Sequence, residues 1–154
     1  MRKTVDNVNR RDIAAEASVL ELVHAVMHSF RSRQHGASEG DPLAVTHMES
    51  KVLGYFARHA GATQRDLAQH SGRDKAQLAR LIKGLRERGL LCGEADAADR
   101  RNVRLQLTDA GEDIQRDLRR RSRKLEGRAL AGLSADERLQ LVAWLERVKE
   151  NLAA

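Results

Sequence analysis

The stretch Asp99-Arg100-Arg101-Asn102-Val103-Arg104-Leu105-Gln106-Leu107-Thr108-Asp109-Ala110-Gly111 changes character twice within a few residues. It opens as a charged tip. Val103, Leu105 and Leu107 then alternate with polar residues, as in a strand with one buried face. After Thr108 come Asp109, Glu112 and Asp113, where the positive end of a helix dipole favours carboxylates. Upstream, Leu90–Gly93 can supply a second strand, leaving Glu94–Asn102 as the long charged tip of a hairpin.

Two short helices precede that hairpin. Thr63 with Asp66 three residues on marks a helix start, and the segment with Leu67 and Ala68 breaks at Ser71-Gly72. Asp74 and Gln77 open the next helix, whose buried stripe is Leu78, Leu81, Ile82 and Leu85 and whose stop is Gly89. Two short helices across a glycine-containing turn predict a helix-turn-helix. Before them, Thr46 and Glu49 form a capping box for a helix with Val52, Leu53 and Phe56 on one face, ended by Gly61.

Further out, Ile13–Gln34 has helical spacing, with stripes at Ile13, Ala17, Leu20, His24 and Met27 and at Val19, Val23, Val26 and Phe30. So much apolar surface on a terminal helix needs covering on two sides, which predicts a second subunit. His35–Pro42 reads as a loop. The helix after Thr108 is expected to run to about Ala131. Ser134 and Glu137 then cap a last helix with a seam at Leu141, Leu145, Val148 and Leu152. The fold class is mainly α with a small β-hairpin wing. A winged helix-turn-helix over 46–108 is flanked by dimerisation helices over 12–35 and 109–154, in a single unit spanning 1–154.

The chain of 154 residues suits one core of ordinary size. No apolar run approaches the ~20 residues of a membrane-spanning helix, and no membrane role is expected. Met1–Arg11 lacks the apolar core of a signal peptide, and one cysteine fits a reducing compartment, so a cytoplasmic location is expected. Aromatics make up 3%, too few for a base-stacking platform on single strands. The net charge of +6 is unevenly placed. Thr63–Thr108 holds 10 basic and 6 acidic residues and Arg116–Arg128 holds 7 and 2, against 11 and 14 elsewhere. Positive charge focused in this way suits a surface that meets a polyanion.

This order of elements resembles the MarR family of bacterial transcriptional regulators. The likeness rests on Thr63-Gln64-Arg65-Asp66-Leu67-Ala68, Leu78-Ala79-Arg80-Leu81-Ile82 with Leu85, Arg88-Gly89-Leu90, and above all Asp99-Arg100-Arg101 followed by Leu107-Thr108-Asp109-Ala110-Gly111. The resemblance implies a homodimer on a pseudo-palindromic operator in double-stranded DNA, with repression relieved by a small aromatic acid. By the same resemblance Arg101 would enter the minor groove, where narrow A/T-rich stretches concentrate negative potential, and Asp99 would fix its guanidinium.

A helix that reads the major groove needs long polar side chains opposite its buried stripe. Lys75, Gln77 and Arg80 fill that need. Gln77 suits an adenine edge and Arg80 a guanine edge, each worth roughly 1 to 3 kcal/mol of discrimination. Arg73, Lys75 and Lys83 suit phosphates, as do the backbone N–H groups after Thr63, beside Gln64. Arg100 and Arg104 are expected to support Arg101 at phosphates. Against this stands the ordinary reading of a charged helix as a solvated surface, which also covers the arginines of Arg116–Arg128.

If the family's effector crevice is present, His24, Met27, His28, His47, Met48 and Tyr55 are candidate lining residues, with core packing as the alternative for Met27 and Met48. His24 and His28, one turn apart, could share a zinc ion, but no further ligand is supplied locally and no metal is expected. Within its apolar stripe His24 reads instead as an interior, hydrogen-bonded residue. Cys92 at the start of the wing reads as a small buried hydrophobe. No phosphate-cradling glycine loop, nucleophile elbow or His-Glu-x-x-His occurs, so neither an enzyme nor a cofactor is expected. The rival readings are a DNA-binding structural protein without a ligand response and a zinc-dependent sensor or enzyme.

Overall fold

A computed structural model describes residues 18–36, 40–41 and 44–154. The described residues form six helices and three strands: α1 (Val19–Gly36), α2 (His47–Arg58), β1 (Ala62–Thr63), α3 (Gln64–Ser71), α4 (Lys75–Glu87), β2 (Leu91–Ala95), β3 (Val103–Leu107), α5 (Asp109–Ala129) and α6 (Ala135–Ala153). The expected start of the first helix, including Ile13 and Ala17, lies outside the described residues. At its other end α1 continues through His35 and Gly36, which sequence pattern assigned to the loop.

Local chemistry fixes the helix starts. Thr46 Oγ1 accepts from the Glu49 N–H at 3.2 Å while the Thr46 N–H donates to Glu49 Oε2 at 2.8 Å. Thr63 with Asp66 and Ser134 with Glu137 repeat this reciprocal cap. The Thr63 bonds also hold the Asp66 carboxyl below the usual carboxylate range. Asp74 caps α4 by accepting from the Ala76 N–H at 3.3 Å. Gly72, at φ 64°, supplies the left-handed residue that ends α3 and turns the chain into α4.

The sheet is antiparallel with order β1-β3-β2. Its third strand, β1, is an addition to the hairpin expected from sequence. Two residues are too few to show alternation, and Ala62 and Thr63 are strand only because they pair with Leu105 and Arg104. The wing strand β2 also extends to Ala95, which shortens the tip to residues 96–102.

Leu53, Phe56, Leu78, Leu85, Leu90 and Leu105 are each at most 2% exposed and form the centre of the core. Burying a large apolar side chain is worth about 1.5 to 3 kcal/mol, so this core fixes where α3 and α4 lie against α2 and the wing. At Gly111, a Cβ would collide with the Leu90 carbonyl oxygen. That close approach admits α5 beside the start of the wing, where the Thr108 N–H donates to the same carbonyl at 3.2 Å.

The chain divides into two compact units at Leu118 and Arg119, within α5. In the first, α1 leaves Val19, Leu20, Leu22, Val26 and Met27 between 40% and 65% exposed. His24 is exposed too, contrary to its expected interior place, because the described chain lays little against this helix. In the second unit, α6 has no buried residue and exposes Leu139, Val142, Trp144, Leu145 and Leu152. No described helix is long and apolar enough to cross a membrane.

Candidate nucleic-acid interface

The buried stripe of α4, Leu78, Ile82 and Leu85, turns the opposite face of the helix outward. Gln77, Arg80 and Lys83 are exposed there, and Lys75 is exposed as the first residue of the helix. Lys83 also lies 3.9 Å from Glu87, an exposed pair of small energetic weight. Arg73 is exposed in the turn before α4, where its N–H donates to Ser71 Oγ at 3.3 Å. Gln64 reaches across the turn and its Nε2 donates to the Lys75 carbonyl at 3.4 Å, so part of its hydrogen-bonding capacity is engaged in joining α3 to α4.

Between these helices and the wing lies a cleft of about 470 Å³. Thr63, Gln64, Arg65 and Lys75 line it from the helix side, and Arg101 and Asn102 from the wing. Arg65 and Arg86 are lining residues that sequence reasoning missed. Arg86 follows Ile82 by four residues and so belongs to the inward-facing stripe by spacing. Its guanidinium carbon sits 3.3 Å from where a Cβ on Gly93 would be, under the wing, and no one-dimensional pattern gives that proximity.

At the wing tip Asp99 acts on the backbone. Its Oδ1 accepts from the Arg101 N–H at 3.0 Å, its Oδ2 accepts from Asn102 Nδ2 at 3.4 Å, and its carbonyl accepts from the Asn102 N–H at 2.9 Å. The resemblance assigned Asp99 to the Arg101 guanidinium. A short carboxylate reaches a backbone N–H two residues on more readily than the far end of an arginine, and the result is an Asx turn. Arg100 and Arg101 are exposed at that tip. Arg104 is engaged elsewhere: Nη2 donates to Asp96 Oδ2 at 3.0 Å and Nη1 to the Gly61 carbonyl at 3.2 Å. Asp96 is held below the usual carboxylate range, first by the Ala98 N–H and then by Arg104.

A second cleft, of about 500 Å³, lies at the first turns of α2. It brings His47, Met48 and Tyr55 together with Lys51, Arg58 and Arg73, and among the described residues no carboxylate lines it. Tyr55 stacks on His59 at 4.5 Å and lies 5.1 Å from His70, ring centre to ring centre, and burial pushes its hydroxyl pKa up. Burial lowers the His47 pKa, and Arg31, Lys51, His35 and Arg73 lower it further. Gln115 Oε1, on the cleft wall, is a buried acceptor without a partner among the described residues. His24, Met27 and His28 do not join this cleft. They lie along an open groove on α1 with Leu20, Val23 and Arg31. Among the described residues no three His, Cys, Asp or Glu side chains gather where they could hold a metal ion. Cys92 is half-buried, its Sγ 3.7 Å from the Gln106 carbonyl.

A sequence model of the MarR family matches residues 45–102, the stretch from the start of α2 to the wing tip. Solved structures share the fold over more of the chain. The transcriptional regulator SlyA is 24% identical, with 88% of this chain and 94% of that one covered and a TM-score of 0.75. MepR of S. aureus, solved in complex with DNA, is 23% identical with 88% and 96% covered and a TM-score of 0.73. Wild-type MarR of E. coli, in its apo form, is 24% identical with 86% and 96% covered and a TM-score of 0.71.

Proposed function

We propose that this chain is a homodimeric, cytoplasmic regulator of transcription that binds a pseudo-palindromic site in double-stranded DNA, a reading supported by the match of residues 45–102 to a sequence model of the MarR family. The observation that carries the reading is the cleft between α3, α4 and the wing, where Thr63, Gln64 and Lys75 face Arg101. With Gln77 and Arg80 exposed on α4, one lobe offers both a reading helix for the major groove and a basic tip for the adjoining minor groove. Arg73, Lys83 and Arg100 supply phosphate contacts that fix register. In a dimer, two α4 helices would enter successive major grooves, roughly 34 to 36 Å apart along B-DNA. The uncovered apolar residues of α1 and of α6 support a second copy as their cover.

The cleft at His47, Met48 and Tyr55 is the proposed effector site. Its basic side chains favour a carboxylate, Tyr55 gives an aromatic wall, and Gln115 Oε1 can accept from a hydroxyl. A small aromatic acid has these features. Occupancy at the N-terminal turns of α2 would alter how α4 is held and release the DNA, giving repression relieved by ligand.

Gel shifts with DNA from beside its own gene and with random duplex of equal length test the first claim. A specific regulator binds the first more tightly, and a panel of aromatic acids weakens that complex. Equal affinity and equal salt slope on both duplexes would indicate a sequence-independent DNA-binding protein instead.

A further inference from the structure

We propose that Arg104 is a positioning residue: it ties the wing to the start of α3 and thereby sets Arg101 opposite Thr63 and Gln64, without itself contacting phosphate. The inference rests on the DNA-binding reading above. Arg104 stands in the middle strand, paired with Thr63 of β1 on one side and Glu94 of β2 on the other. Its guanidinium joins two points. Gly61 belongs to the turn that ends α2 and leads directly into Thr63, and its carbonyl accepts from Nη1 at 3.2 Å. Asp96 is the first residue of the wing tip and accepts from Nη2 at 3.0 Å.

Asp96 is itself built into the tip. Its N–H donates to the Asn102 carbonyl at 2.8 Å, and its Oδ1 accepts from the Ala98 N–H at 3.1 Å. Thus one side chain joins the segment carrying Thr63 to the base of the loop carrying Arg101. A guanidinium is planar, and two of its donors held in fixed directions hold the group as a whole. Its charge is also offset by the Asp96 carboxylate, whose side chain is only 16% exposed. Arg101, by contrast, makes no ion pair among the described residues. The two arginines three residues apart therefore have different work: Arg101 faces the cleft and Arg104 holds the wing that presents it.

The test compares Asp96→Asn, Arg104→Ala, Arg101→Ala and the Arg101→Ala/Arg104→Ala double variant for binding to duplex from beside the chain's own gene, over a range of salt. Asparagine keeps an oxygen for the Ala98 N–H and loses the charge that holds Arg104. By simple electrostatics, removing a carboxylate from a DNA-binding face strengthens binding. A positioning role reverses that sign, so Asp96→Asn should bind about three- to tenfold more weakly, with an unchanged salt slope. Arg104→Ala should weaken binding similarly and add nothing in the Arg101→Ala background.

If Asp96→Asn binds as well as or better than wild type, the tie has no role. If Arg104→Ala lowers the salt slope by about 1.8, roughly 0.9 for each of the two copies in the dimer, and its loss adds to that of Arg101→Ala, Arg104 is a phosphate contact. Either result overturns the proposal while leaving the DNA-binding reading intact. A wild-type chain that binds no duplex removes both. Thermal unfolding of each variant shows that the fold persists, and should Arg104→Ala not fold, Asp96→Asn still decides.

Discussion

Arg88 and Glu49, far apart in sequence, form an ion pair of 3.2 Å that joins the end of α4 to the start of α2. The same Glu49 oxygen caps α2 through the Thr46 N–H, and the second arm of Arg88 donates to the Ala44 carbonyl at 2.8 Å. Helix α4 is thus fastened to the turn of α2 that borders the cleft at His47, Met48 and Tyr55. With the two side chains 30% and 18% exposed, the arrangement is more than a surface pair. Arg88→Ala should lower stability by about 1 to 2 kcal/mol, read from the midpoint of urea unfolding. A midpoint equal to wild type would show that solvent replaces the guanidinium without loss.

Gly111 is a position where a side chain would meet backbone. It is buried, and a methyl group would overlap the Leu90 carbonyl oxygen, a backbone atom fixed by its bond from the Thr108 N–H. An alanine would ordinarily favour a helix. Here the overlap forces α5 away from the wing, and Gly111→Ala should cost about 1 to 3 kcal/mol. A variant that unfolds no earlier than wild type would show that α5 can shift freely.

The local signals in the sequence were strong where they were chemical. The Thr46, Thr63 and Ser134 boxes each form as their spacing required, and the stripe Leu78, Ile82, Leu85 is buried. Contacts that depend on the folded chain were not legible. β1 exists through its pairing with β3, Arg86 reaches the cleft because the wing folds over it, and Arg104 finds Asp96 and Gly61 across the sheet. The effector candidates divide for the same reason: a cleft is formed from several elements, and His24, Met27 and His28 share only one. His24 also shows how an apolar stripe can indicate burial without saying which chain supplies the cover.

Arg101 and Gln77 should fail in different ways. Arg101→Ala removes a charge from the wing side of the cleft and should weaken binding to the specific duplex more than tenfold without altering the dimer. Gln77→Ala removes a potential two-bond contact to an adenine edge and should relax base preference at one position per half-site, by roughly 1 to 3 kcal/mol. Selection from a randomised duplex pool measures both. Unchanged preference in Gln77→Ala would mean that another face of α4 reads the bases.

Leu22 and Val26 lie one turn apart on α1, 60% and 56% exposed in the isolated chain. If a second copy covers them, Leu22→Glu places a charge in an apolar interface while costing the single fold little, about 0.5 kcal/mol or less. Sedimentation should then show wild type at twice the chain mass and the variant shifted toward the monomer, with its helical content retained. A variant that stays dimeric would place the interface elsewhere.

If the cleft at α2 takes a carboxylate, as proposed, His47 should make that binding depend on pH. Its pKa lies below 6.5 because burial disfavours the charged ring and because Arg31 and His35 of α1, Lys51 of α2 and Arg73 before α4 oppose a further positive charge. In the free protein the neutral ring therefore prevails at neutral pH. This preference adds stability that is complete above about pH 6.5 and is lost as pH falls through the lowered value. A carboxylate in the cleft reverses the balance by stabilising the imidazolium, so its binding raises the pKa and takes up a proton. Affinity for benzoate should accordingly rise as pH falls from 8 toward 6. Calorimetric titrations at one pH, in two buffers of different ionisation heat, measure the uptake directly. Wild type should give different heats in the two buffers, and His47→Gln should narrow that difference. Equal heats for wild type would mean that the ligand leaves His47 unprotonated.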